Sequence, residues 1–137
     1  MTLATTIASL RTVVDTLPNL RVYADPPESV NEFPSAIVYS LDGTYQLGSA
    51  DLTRAYHTLI VDIYHARQML PQAIDSAKVW PDLVYGAIRD AMTAGTLDVV
   101  ATGGRAEINY RTTPLPYGEI MHFGVRFTIR LKEVLNS

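Results

Sequence analysis

From Met121 to Lys132 the chain reads MHFGVRFTIRLK, in which Met121, Phe123, Val125, Phe127, Ile129 and Leu131 alternate without a break against His122, Gly124, Arg126, Thr128, Arg130 and Lys132. A side-chain period of two is the repeat of a β-strand, and a run this long with large apolar groups on one side predicts a strand that lays one face on a core. A helix has no use for the pattern, because its 3.6-residue repeat would scatter the apolar groups around the axis. The other face of the strand reads as a polar stripe that leans basic through Arg126, Arg130 and Lys132.

Arg54 to Ala66 predicts a second long strand with a different balance between its faces. Leu59, Val61 and Ile63 share one face with His57 and His65, while Tyr56, Thr58, Ile60, Asp62 and Tyr64 share the other. An antiparallel sheet covered on one side ordinarily turns polar residues to the other. The large groups at Tyr56, Ile60 and Tyr64 therefore predict a second covered surface, supplied by a neighbouring subunit.

The rest of the pattern supplies helices and turns for that sheet. Leu3, Ile7, Leu10, Val14 and Leu17 fall at steps of four and three. They predict a helix of about four turns, with Thr2 placed to cap it and Pro18-Asn19 to end it. Met69 to Ala94 repeats the spacing through Ile74, Ala77, Val79, Trp80, Leu83, Val84, Ala87, Ile88, Ala91 and Met92. Gly95 is its terminator, and Pro81 predicts a kink or break near Trp80.

Between the helices, Arg21 to Ala24 reads as a short strand, Asp25 to Pro34 as a loop stiffened by Pro26-Pro27, and Ser35 to Leu41 as a buried strand. Asp42 to Thr53 reads as a long hairpin tip or mobile loop, in which Tyr45 and Leu47 are candidate contact residues. Downstream, Leu97 to Ala101 and Arg105 to Thr113 flank a Thr102-Gly103-Gly104 hairpin turn, and Pro114 to Gly118 reads as a further turn. Together these elements predict one α+β domain over residues 1–137, a mainly antiparallel twisted sheet with the N-terminal helix and a kinked second helix packed on one face.

Eleven Lys and Arg against 14 Asp and Glu leave a net charge of -3. That argues against a dedicated nucleic-acid-binding protein, whose phosphate contacts require a positive surface. The lack of cysteine excludes a disulfide framework, a thiol nucleophile and a zinc–thiolate site, and suits a reducing compartment. The opening MTLATTIASLRTVVDTL has no basic start and is interrupted by Arg11 and Asp15, so it reads as neither a signal nor a membrane segment, and the chain as cytosolic. Charge is unevenly spread: residues 99–137 hold five basic and three acidic side chains, residues 1–69 four basic and seven acidic. Taken alone such a separation fits a solvated sheet face of mixed charge better than head-to-tail self-association; combined with the two-sided apolar character of Arg54 to Ala66 it favours an oligomer.

The sequence offers no catalytic constellation. His57 and His65 stand on one strand roughly 26 Å apart at about 3.3 Å per residue, too far to share a metal. Asp62 faces away from both, and Gly103-Gly104 lacks the lysine and following helix of a phosphate loop. No catalytic residue, metal ligand set or cofactor site is expected, and the protein reads as a non-enzyme.

A helix of some fifteen residues, then LRVYADPPESVNEFPSAIVYSL, a long strand ending in YHTLIVDIYHAR, a helix with spaced aliphatics and a closing strand HFGVRFTIRL resemble the tail terminator or tail-completion proteins of long-tailed bacteriophages. The likeness lies in element order and a loose P…V…FP…V pattern across nearly the whole chain. It implies a small α+β virion protein that forms a ring, a homohexamer in similar proteins, on the head-proximal end of the tail tube. Such a ring stops polymerisation of the major tail tube protein and presents a surface to head–tail connector proteins. Genome DNA passes its lumen without sequence-specific binding, no membrane is involved, and the protein resides in the tail or neck after assembly in the host cytoplasm. On this resemblance Tyr56, Ile60, Tyr64, Arg126, Arg130 and Lys132 are candidate ring contacts, while Tyr45 and Leu47 reach the tube or lumen. A head-side connector or stopper of the same neck, and a small cytosolic enzyme or ligand-binding oligomer, remain alternatives.

Overall fold

The two long alternating runs take the middle of the sheet. The structure, a computed structural model, describes residues 3–46, 52–102 and 105–136. In chain order the elements are α1 (Leu3–Val14), β1 (Arg21–Val22), β2 (Ser35–Gln46), β3 (Leu52–Ala66), α2 (Pro71–Ala77), α3 (Val79–Ala94), β4 (Ala101–Thr102), β5 (Arg105–Ala106), β6 (Ile108–Tyr117) and β7 (Ile120–Asn136). A five-stranded sheet has the order β1-β2-β3-β7-β6, and β4 and β5 form a separate two-stranded ribbon. Only the β1–β2 pair of the five is parallel, so the sheet is mixed. The chain folds as a single α+β domain with an N-terminal helix and a broken second helix.

The helices lie on one face of the sheet. Leu10 and Val14 of α1 and Trp80, Val84 and Ile88 of α3 close over Leu59, Val61, Ile63, Phe123, Val125, Phe127, Ile129 and Leu131, all buried. Each fully buried side chain of this size removes enough apolar surface from water to contribute about 1.5–3 kcal/mol, which makes the two strands and the helix stripes one cooperative unit.

Helix α1 ends at Val14, about a turn short of the expected Pro18-Asn19 boundary. Its exit tightens: Thr16 N–H donates to the Val13 carbonyl and Leu17 N–H to that of Val14, three residues back in each case. Asn19 then reverses the chain at φ 57, a conformation that its short polar side chain tolerates. The buried stripe is also wider than the spacing indicated, with Thr6 and Val13 inside and Leu3 and Ile7 only partly so. The expected cap, Thr2, lies outside the described residues.

The break near Trp80 falls at Lys78, between α2 and α3. Pro81 sits in the first turn of α3, where a helix has no use for its missing N–H. Re-phasing at the break leaves Ile74, Val79 and Met92 exposed, against the expectation of one continuous apolar stripe. Gly95 ends α3 in the left-handed region at φ 79, with N–H groups of Gly95 and Thr96 closing onto the carbonyls of Met92 and Ala91.

Strand β2 continues to Gln46 and so absorbs Asp42–Gln46, expected as loop; a bulge between Ser40 and Asp42 turns Leu41 out to 60% exposure. Leu47 and the Gly103-Gly104 turn lie outside the described residues. Pro114 and Pro116, expected in a turn, belong to β6, an edge strand on which a missing donor breaks no ladder. Met121 is exposed in spite of its parity, because it sits one pair from the β6–β7 turn at the end of the sheet. Beside it, Gly124 lets β7 approach β3: a Cβ there would stand 1.9 Å from the Ile63 carbonyl oxygen.

Candidate assembly surface

The face of the sheet away from the helices divides into a half that the chain buries itself and a half left to solvent. At the end near the β6–β7 turn, Val30 of the proline loop covers Ile37, Tyr64 and Leu115, with Tyr23, Phe33, Tyr39 and Tyr117 packed around them. The Tyr117 hydroxyl donates to the Pro27 carbonyl and ties the loop down. The loop thus forms a ledge packed on this half of the sheet face, and the Phe33–Pro34 peptide in it is cis.

This arrangement corrects one expectation. Ile60 and Tyr64 are each only 3% exposed in the single chain. Ile60 is flanked by Tyr39 on one side and Thr128 on the other, and Tyr64 is enclosed by the loop cluster. No neighbouring subunit is needed to cover them. His122, expected on a basic stripe, is likewise buried between Phe33 and Tyr64. Burial, aided by the charge of Arg67, pushes its imidazole below the usual range.

At the centre of the face Asp62 is 1% exposed and its carboxylate is held by Arg126, with Nε–Oδ1 2.8 Å and Nη2–Oδ2 3.0 Å. The Tyr39 hydroxyl donates to Oδ2 at 2.9 Å and accepts from Arg126 Nη2 at 3.2 Å, so both carboxylate oxygens are held by charge-assisted or hydroxyl hydrogen bonds. Burial first, then the Asp62 charge, raises the Tyr39 phenol to about 12, and the same two causes raise that of Tyr64. The hydrogen bond to Asp62 holds Arg126 above the ordinary guanidinium range. Arg126 is therefore committed to its own chain before any partner arrives.

The solvent-facing half carries the remaining charge. Arg111 stands opposite Arg126, and Arg130 is exposed with its guanidinium 5.4 Å from the centre of the Tyr56 ring. Tyr56 is in register with Lys132 and Thr44. So the structure brings Tyr56, Arg130 and Lys132, expected on the faces of two separate strands, together on one sheet face. It separates them from Tyr45, which lies on the helix-bearing face with its exposed ring edge-on to buried His57 at 5.6 Å.

One feature of the helix-bearing face was not legible in the sequence. Between α3 and β6 runs a groove of about 800 Å³ with Ile88, Val99, Ile108 and Phe127 beneath it and exposed Tyr85, Met92 and Tyr110 on its walls. Tyr110 is in register with buried Phe127 on the helix-bearing face, yet α3 stops short of covering it. Nothing in the spacing of an isolated tyrosine signals which helix will fall beside it.

Among the described residues, no group of three His, Asp or Glu side chains is placed to hold a metal. The close pairing of His65 with a hydroxyl is structural: Trp80 Nε1–H donates to His65 Nδ1 at 2.9 Å, which leaves Nε2–H directed at Ser76 Oγ, 2.6 Å away. No described helix is long and apolar enough to cross a membrane. No protein-family model matches the chain, and no curated protein matches it.

Proposed function

We propose that this chain is a tail terminator of a long-tailed bacteriophage, a ring-forming virion protein that caps the head-proximal end of the tail tube. What supports the reading is the element order: helix, short strand, proline ledge, strand, long two-faced strand, broken helix and closing strand are those on which the resemblance rests. The mechanism is geometric. One face of the ring copies the symmetry of the last tube layer, and the opposite face offers no site for a further tube subunit but one for the head connector. Arg130, exposed, and Tyr56 and Lys132, half-buried beside it, form the part of the sheet face available for such contacts. DNA passes the lumen without sequence-specific contact, in keeping with the small negative net charge.

Imaging separates this reading from that of a head-side connector. The purified chain is mixed with polymerised tail tubes and, separately, with DNA-filled heads lacking tails. Rings on one end of the tubes are expected; decoration of heads alone would overturn the terminator assignment in favour of the connector.

A further inference from the structure

The five-stranded sheet has two open edges, and they are complementary. On one side β6 is the last strand. Lys132 N–H donates to the Asp98 carbonyl and Val100 N–H to the Arg130 carbonyl, so the even-numbered residues of β7 turn their backbone groups toward the β6 side. Their partners Asn109, Arg111 and Thr113 bond inward, which leaves Ile108, Tyr110 and Thr112 with N–H and C=O pointing outward. Pro114 and Pro116 fall in the same outward series and confine any added strand to the stretch before them.

On the other side β1 covers β2 only at Ser35 and Ala36. Carried across the sheet, the same alternation bonds Asp42 and Thr44 inward to Thr58 and Tyr56, so that Gly43 and Tyr45 point outward. Strand β6 runs opposite to β2. In a ring whose rotation axis lies along the strands every β2 keeps its direction, and β6 of one copy meets β2 of the next antiparallel.

We infer that β6 of one copy pairs with β2 of the next, with Tyr110 opposite Gly43. That register sets Ile108 against Tyr45 on the helix-bearing face and Arg111 against Asp42 on the other. Opposite charges thus face each other directly. A slip of two residues either way places Arg111 opposite Ser40 or Thr44 and loses the pair, and a slip of one turns every side chain to the wrong face. Gly43 leaves room beside the Tyr110 ring; its own sheet requires a glycine, since a Cβ would lie 2.9 Å from His57 Nδ1. Tyr45, exposed in the single chain, enters the groove between α3 and β6 against Tyr85 and Met92 of the neighbour. The inference rests on the ring reading for the rotational relation between copies.

Disulfide trapping tests it, because the chain has no cysteine of its own. Thr44 and Asn109 face each other across the inferred junction as a non-hydrogen-bonded pair, with Cα atoms about 4.5 Å apart, within disulfide reach. Oxidation of the Thr44→Cys/Asn109→Cys variant is expected to give a ladder of linked copies on a non-reducing gel, and each single variant dimers at most. In that background Asp42→Arg or Arg111→Asp reduces the ladder at least tenfold and the two together restore it. Thr112→Pro removes an outward N–H while sparing the ladder to β7, and is expected to abolish linking with the circular dichroism unchanged. Absence of the ladder from the double cysteine variant, or failure of the charge swap to restore it, overturns the inferred junction. Light scattering on the unmodified chain then tells the two readings apart. A multimer without the ladder sinks only this junction, and a monomer both with and without tail tubes sinks the ring as well.

Discussion

Arg126 grips Asp62 in a two-point contact across β7 and β3, and the buried partner is the acid: Asp62 is 1% exposed whereas the arginine side chain keeps 40%. Taking away the guanidinium strands a carboxylate in the sheet. A fully buried pair broken from one side loses about 3–5 kcal/mol. The partial exposure of Arg126 lets water screen the remaining charge, so Arg126→Met is expected to lose roughly 2–3 kcal/mol. Asp62→Asn in the same chain should recover part of it. Urea denaturation of the single and double variants measures both, and equal stability of the three proteins would show the pair to be idle.

Gly124 is required by contact rather than by backbone angle. Its missing Cβ would fall on the Ile63 carbonyl oxygen, a main-chain atom in the middle of the sheet that has no rotamer to change. Gly124→Ala is therefore expected to cost at least the upper end of the about 1–3 kcal/mol typical of overpacking. Thermal unfolding reads the loss, and a melting temperature within a degree of the unmodified chain would contradict the close approach of β3 and β7.

His65 links pH to the only tryptophan. Burial lowers its pKa from the ordinary 6.5, and Trp80 donates to the nitrogen that a proton would occupy. The unfolded chain takes up its proton near pH 6.5 and the folded chain at lower pH, so stability falls as pH drops below 6.5 and continues to fall until the folded imidazole titrates. His122, lowered mainly by burial, acts in the same direction. Trp80 fluorescence should change as His65 protonates in the folded state, at a pH below 6.5. His65→Leu should remove that transition while leaving unfolding by urea observable; persistence of the transition in the variant would refute the link.

The two faces of β7 give a paired test. Ile129 is fully buried and Arg130 exposed. Ile129→Asp puts an unpaired charge in the core and is expected to unfold the domain. Arg130→Glu forfeits only a contact with Tyr56, about 0.5–1 kcal/mol, and should fold; under the proposed terminator function it binds tail tubes less well. Circular dichroism and tube co-sedimentation separate the outcomes, and like behaviour of the two variants would mean that the faces are misassigned.

Much of the fold was legible where a pattern repeats over many residues. The alternation of Phe123 to Leu131, the stripe through Leu10 and Val14, the break before Pro81 and the Gly95 terminator all follow from periods and caps that a single element imposes on itself. The readings that failed concern ends and neighbours. Asp42 to Gln46 carries turn residues yet extends β2, because pairing with β3 outweighs weak local propensity. Tyr64 resembled an interface residue, and a proline loop some thirty residues upstream buries it.

For the candidate surface the same division holds. The sequence by itself determined which side chains share a strand face, since parity along a strand is a local property: Tyr56 with Ile60 and Tyr64, Arg126 with Arg130 and Lys132. Only the tertiary structure decided which of them remain available. Asp62 claims Arg126, the ledge from Asp25 to Pro34 claims Tyr64, and the short reach of β1 and α3 leaves β2 and β6 open at the two margins of the sheet. Availability depends on what folds over a residue from elsewhere in the chain, and that is a contact between distant segments which no periodicity encodes.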